Sequence, residues 1–163
     1  MAVKHLQKRY YEILDGTLNS EFVRKSSRAY FNLSDLKYKG GKISVAIPLR
    51  ANINQNFQRS PDEIIATAPT THTRPGFIAG WHITKMIPFD GSLFTQNTTG
   101  NIDLIIAEKI AQAYISKMKK AAQDFLDRLE SGEIIFGAIE FDKAFNEMEK
   151  LKKILIKEKQ GKH

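Results

Sequence analysis

Residues 29–54 read AYFNLSDLKYKGGKISVAIPLRANIN, and this stretch decides the fold class. Ala29 to Lys37 and Lys42 to Leu49 are short runs rich in aromatic and branched apolar residues. Tyr38-Lys39-Gly40-Gly41 lies between them and carries the residues of a tight turn. The pair therefore reads as an antiparallel hairpin. Pro48 is expected at the end of the second strand, because it has no N–H to give to a ladder. Residues 51–76, with many Asn and Thr and three prolines, then read as loop.

Upstream of the hairpin, Val3 to Leu6 reads as a short strand. Leu6, Tyr10, Ile13 and Leu14 follow at helical spacing, with Asp15-Gly16 as the stop. Downstream, Phe77 to Ile87 reads as one strand closed by Pro88 and Asp90-Gly91. Near residue 100 the pattern becomes helical. Ile102, Ile105, Ile106, Ile110, Tyr114, Met118, Ala121, Phe125, Leu126 and Leu129 trace one face of a single long helix, stopped by Ser131-Gly132. Phe141, Phe145, Met148, Leu151 and Leu155 mark another, and both apolar stripes are expected in the core. Strands followed by helices imply an α+β architecture. The expected organisation is one domain over residues 1–163, β-rich over 1–95 and helical over 101–159.

Charge is unevenly spread. The chain has 163 residues and a net charge of +7, and residues 1–60 hold 11 of the 25 Lys/Arg but 4 of the 18 Asp/Glu. Such a concentration suits a polyanion such as RNA or DNA. There is no cysteine, which excludes a disulfide scaffold, a cysteine-ligated zinc and a thiol nucleophile. No stretch approaches the roughly 18–20 apolar residues of a transmembrane helix, and MAVKHLQKRYY has no signal-peptide core. The expectation is a cytoplasmic protein with no membrane partner.

No phosphate-binding glycine loop, HExxH, GxSxG or EF-hand pattern is present, and the carboxylates are scattered. Catalysis without cofactor or metal would fall to Arg, Lys, His, Tyr, Ser, Thr or Asn. Three segments could supply these. Ala46 to Asn54 delivers Arg50, Asn52 and Asn54 after a proline-ended strand; an arginine fork suits phosphate, and an Asn suits a base edge or a ribose hydroxyl. Gly80 to Pro88 contains His82, Thr84 and Lys85. Strand alternation puts His82 and Thr84 on one face and Lys85 on the other. Ser26 to Tyr30 puts Arg28 and Tyr30 on one face. Tyr30, Phe57, Phe77 and Trp81 are candidates for stacking on bases, though Trp81 is expected in the core. His72 lies in the loop Thr70-Thr71-His72-Thr73-Arg74.

Taken in order, these segments resemble the endoribonuclease toxins of type III toxin–antitoxin systems, the ToxN, AbiQ and TenpN toxins. The resemblance runs through Lys8-Arg9-Tyr10-Tyr11, Arg28-Ala29-Tyr30-Phe31, Ala46 to Asn54, and Thr84-Lys85-Met86-Ile87-Pro88. It covers roughly residues 1–95 and, more loosely, the helical remainder. Where members often carry Ser or Thr after Pro-Leu, this chain has Arg50-Ala51-Asn52, which is more like the TenpN branch; Ala51 has no hydroxyl to supply.

The resemblance implies a twisted, partly barrelled antiparallel sheet like that of the MazF and Kid toxins, with C-terminal helices packed on it. It implies metal-independent cleavage of cellular or phage mRNA, with no cofactor. It also implies a small repeat antitoxin RNA as inhibitor, in a multimeric protein–RNA assembly. Cleavage of this kind uses the ribose 2′-hydroxyl as nucleophile. Arg50 and Lys85 are then expected on the phosphate, Tyr30 and Asn52 at the ribose, Asn52 or Thr84 in place of the hydroxyl that Ala51 lacks, and His82 in reserve as base. Arg28, Lys37, Lys39, Lys42, Asn54, Arg59 and Arg74 would line the RNA path. The rivals are a non-catalytic RNA-binding regulator, a DNA-directed protein and a protein-binding toxin like the gyrase poisons.

Overall fold

The computed structural model describes residues 3–18, 22–23, 28–54, 63–91, 95–97, 102–135 and 137–161. The hairpin forms as expected. Strand β2 (Ala29–Tyr38) and β3 (Gly41–Asn54) pair antiparallel, from Tyr38 opposite Gly41 to Tyr30 opposite Pro48. Lys39 and Gly40 between them have φ of 51° and 77°. Both central residues at positive φ make a turn whose twist matches the flanking strands.

Pro48 does not end its strand. β3 runs on to Asn54, so Arg50, Asn52 and Asn54 lie on a strand and not in the expected loop. What changes at Pro48 is the partner. Before it, β3 pairs with β2 on one side and with β6 (Ile87–Phe89) on the other; after it, β3 pairs with β5 (Phe77–His82). A residue without an N–H fits the point where one ladder is exchanged for another. The Arg28 guanidinium donates to the Leu49 carbonyl at 3.0 Å just where β2 runs out.

The expected strand Phe77–Ile87 is broken. β5 and β6 both run antiparallel to β3, but a 3-10 turn at Ile83–Lys85 separates them. Ile83 N–H donates to the Glu63 carbonyl at 2.9 Å, and Met86 N–H to the Ile83 carbonyl at 3.1 Å. Ile83, Thr84 and Lys85 are all buried, so the strict two-face alternation expected for His82 to Lys85 fails there.

The remaining strands are β1 (Val3–Leu6), β4 (Ile64–Ala66) and β7 (Thr95–Asn97), in the order β4-β5-β3-β2-β1-β7 with β6 beside β3. The sheet is antiparallel and open. Among the described residues β4 pairs with β5 and β7 with β1, so the expected partial barrel does not close. β4 lies very close to β5 at Gly80, where an added Cβ would come within 2.6 Å of the Ile65 carbonyl oxygen.

Helix α1 (Lys8–Thr17) follows β1. The single long helix expected after residue 100 is two: α2 (Ile102–Ala113) and α3 (Ile115–Glu130). Tyr114 between them has φ −108° and ψ 23°, with no proline or glycine to mark the break. The two parts answer to different partners. Trp81, fully buried, donates from Nε1 to the Ala107 carbonyl at 3.1 Å and holds α2 over β5, while α3 packs on β2 and the 3-10 turn. Gly132 at φ 86° closes α3 as expected, and α4 (Phe141–Gln160) packs on β6 and α1.

The core is one cluster that includes Trp81, Phe31, Met118, Phe125 and Phe141. Each such side chain contributes about 1.5–3 kcal/mol over exposure. The α3 stripe is buried at Met118, Ala121, Phe125 and Leu126. The α2 stripe departs from expectation: Ile105, Ile106 and Tyr114 are 43%, 44% and 52% exposed. No helix among the described residues is long and apolar enough to cross a membrane.

Candidate functional site

Where β3 exchanges β2 and β6 for β5 there is a cleft of about 440 Å³. One wall is basic: Arg28 at the entry to β2, with Leu49, Arg50 and Ala51 on β3. His5 on β1 lies at the same wall. Thr67, Ala68, Thr70 and His72 of the connection between β4 and β5 line it too. Asp103, Leu104, Ile106 and Ala107 of α2 also line the cleft. Ile106, exposed on α2, is therefore one of the cleft's lining residues.

Arg50 is fixed from behind. Its Nη1 lies 3.0 Å from Nδ1 of His82, which is 3% exposed. A guanidinium has donors only, so this Nδ1 accepts and the His82 proton sits on Nε2. Burial first, then the charges of Arg50 and Lys85, push the His82 imidazole down to about 3. It is therefore neutral near physiological pH, with one lone pair already engaged by Arg50. That is the chemistry of a support for the arginine.

Arg28 is half-buried, and burial is the main cause lowering its guanidinium from the ordinary value, with Arg50 adding to the effect and Tyr30 opposing it. Its Nε and the Tyr30 hydroxyl are both buried with no hydrogen-bond partner among the described residues. Burial raises the Tyr30 phenol, so it stays protonated near neutral pH. Tyr30 does not line the cleft.

Asn52 is occupied. Its Nδ2 donates to the His72 carbonyl at 3.0 Å, and the Arg74 N–H donates to its Oδ1 at 2.7 Å. The amide clamps the loop that carries His72 to β3. Arg74 places its guanidinium 5.6 Å from the centre of the Phe77 ring. Asn54 pairs opposite Phe77 further along β3. Thr84 and Lys85 lie buried in the 3-10 turn and do not line the cleft; the Lys85 ammonium points toward Gly137, whose added Cβ would lie 3.9 Å away.

The lysines expected on the RNA path lie elsewhere. Lys37, Lys39 and Lys42 are at the hairpin tip, eight residues of β3 from Arg50, or up to about 26 Å for an extended strand. Lys39 pairs with Asp142, its N–H donates to Glu130, and its ammonium sits 5.6 Å from the Tyr38 ring centre. Gln123 brackets the Lys37 backbone, accepting from its N–H at 2.8 Å and donating to its carbonyl at 2.9 Å. Arg59 and Phe57 lie outside the described residues.

Of the residues singled out by sequence, the fold thus brings Arg28 and Arg50 together, with His82 directly behind. It adds His5, Thr67, Thr70 and Asp103, for which the sequence carries no signal. A lone strand histidine and a helix-start aspartate are ordinary features until folding puts them in one cleft with two arginines. Among the described residues no group of three or more His, Asp or Glu is placed to hold a metal ion.

No family model and no curated protein matches the chain. A solved structure described as "A processed non-coding RNA regulates a bacterial antiviral system" has a chain of similar fold, with a TM-score of 0.62. The match covers 91% of this chain and 98% of that one at 13% identity. The likeness is one of fold, and it runs over nearly the whole of both chains.

Proposed function

We propose that the chain is the toxin of a type III toxin–antitoxin system, an endoribonuclease that cuts RNA by 2′-hydroxyl attack and is held inactive by a small structured repeat RNA. The observation that carries this reading is the pair Arg28 and Arg50 in one cleft, with Arg50 fixed by a neutral imidazole. Two cations with fixed donors suit a phosphodiester whose charge grows during displacement. The apolar Leu104, Ile106 and Ala107 of α2 in the same cleft suit a base. Cellular or phage mRNA is the substrate, and the site of action is the cytoplasm.

In this reading Arg50 and Arg28 hold the scissile phosphate. His82 positions Arg50, Asn52 sets the loop that carries His72, and Tyr30 and Lys85 lend their support from beneath. The test is incubation with end-labelled single-stranded RNA and the matching DNA, in EDTA. The expected result is cleavage of RNA alone, leaving a 2′,3′-cyclic phosphate and a 5′-hydroxyl, and blocked by a single 2′-deoxy substitution at the cut. Loss of cutting in EDTA with recovery on adding Mg²⁺ overturns the mechanism. Tight RNA binding without cutting leaves a regulator.

A further inference from the structure

His5 has no role in the reading so far, yet it lies in the cleft with both arginines. It is paired with Ala29 across β1 and β2, and its Nδ1 lies 3.0 Å from the Arg28 carbonyl oxygen. A carbonyl only accepts, so the proton is on Nδ1. In the neutral ring the lone pair is then on Nε2. His82 is the opposite case, with its Nδ1 lone pair committed to Arg50. His72 also lines the cleft, but its ring makes no hydrogen bond among the described residues that would fix its orientation. Of these imidazoles, His5 alone combines a position in the cleft with a tautomer set by backbone. The charged and titratable groups that share its cleft are Arg28, Arg50, His72 and Asp103.

We infer that His5 is the general base of the ribonuclease reaction; this rests on the proposed reading of the cleft as a ribonuclease site. Nε2 takes the proton of the ribose 2′-hydroxyl as the 2′-oxygen bonds to phosphorus. The bond from phosphorus to the 5′-oxygen breaks, and that oxygen takes a proton from water. The hydroxide so formed removes the proton from the imidazolium and restores the neutral ring. The Arg28 main chain fixes the imidazole through its carbonyl, while the Arg28 and Arg50 side chains take up the charge on the phosphate.

His5→Asn tests this, because its amide keeps a donor for the Arg28 carbonyl but has no lone pair basic enough to take the proton. RNA cleavage in EDTA is followed across pH, beside binding of a 2′-deoxy analogue. The expected result is a rate lower by about 10²–10⁴ with affinity little changed and the acid limb of the pH profile gone. A His5→Asn protein that cuts at the wild-type rate with an unaltered profile overturns the assignment. If that variant does not fold, carbethoxylation of the wild-type protein by diethyl pyrocarbonate, mapped by peptide mass, decides. Inactivation should track modification of His5 and be prevented by the 2′-deoxy analogue; modified His5 with full activity overturns the assignment. A wild-type protein that never cuts RNA fails at the earlier step and overturns the ribonuclease reading together with the role of His5.

Discussion

The two ends of the β2–β3 hairpin carry the same kind of side chain in different company. At the tip, Lys39 is paired with Asp142 and reaches Glu130 through its backbone, and Lys37 stands opposite Lys42 in register. At the other end Arg28 and Arg50 share a cleft, and a neutral imidazole lies 3.0 Å behind Arg50. A carboxylate partner would cancel the charge that a phosphate needs. A neutral acceptor fixes the guanidinium and leaves its charge in place. At the tip Lys39 therefore helps dock the hairpin on the helices, whereas at the other end two guanidinium groups line a cleft.

The sharpest way to break this comparison is Arg50→Ala, which should lower RNA cleavage by about 10²–10³ while affecting affinity less. Full activity in single-turnover assays would remove Arg50 from the site. The partner is tested by a contrast. His82→Leu deprives Arg50 of its acceptor and should cost up to about 10²-fold through misplacement, whereas His82→Asn keeps an acceptor and should cost far less. Equal losses in the two would mean that the hydrogen bond does not position the arginine.

His82 also gives a pH signature. Its imidazole takes up a proton near 6.5 when unfolded but only near 3 when folded. The unfolded state therefore binds more protons in that window, and stability should fall as pH drops from 6.5 toward 3. Urea midpoints measured from neutral to acid pH should fall less steeply in His82→Asn; identical slopes would refute a buried neutral His82.

Smaller effects are expected from backbone and tip. Gly80→Ala forces a methyl group against the Ile65 carbonyl and should destabilise by about 1–3 kcal/mol. An unchanged melting temperature would show that β4 moves aside freely. Lys39→Ala removes an exposed ion pair and should cost no more than about 1 kcal/mol, with cleavage unaltered. A loss of RNA affinity in that variant would return the tip to the RNA path and erase the contrast between the two ends.

The hairpin, its Lys39-Gly40 turn, the Gly132 stop and the burial of Trp81 were all legible, because each rests on local chemistry. Positive φ at a turn, a glycine at a helix end and the bulk of an indole act within a few residues or through size alone. The failures share a different cause. Phe77 to Ile87 has an unbroken strand pattern, yet the chain turns at Ile83–Lys85, where Glu63 takes the Ile83 N–H and α3 packs on the turn. Residues 102–129 have an unbroken helical pattern, yet Trp81 and β2 hold the two halves to different neighbours.

The site divides in the same way. That Arg50 follows an apolar strand and a proline is written in the order of residues, as are the basic excess before residue 60 and the order of segments resembling type III toxins. That His82 lies behind Arg50, 32 positions away, depends on the pairing of β3 with β5, and its neutrality depends on burial next to two cations. That His5 carries its proton on Nδ1 depends on a carbonyl 23 positions away. Protonation and tautomer are set by what stands within a few ångströms in space, and no periodicity along the chain records that.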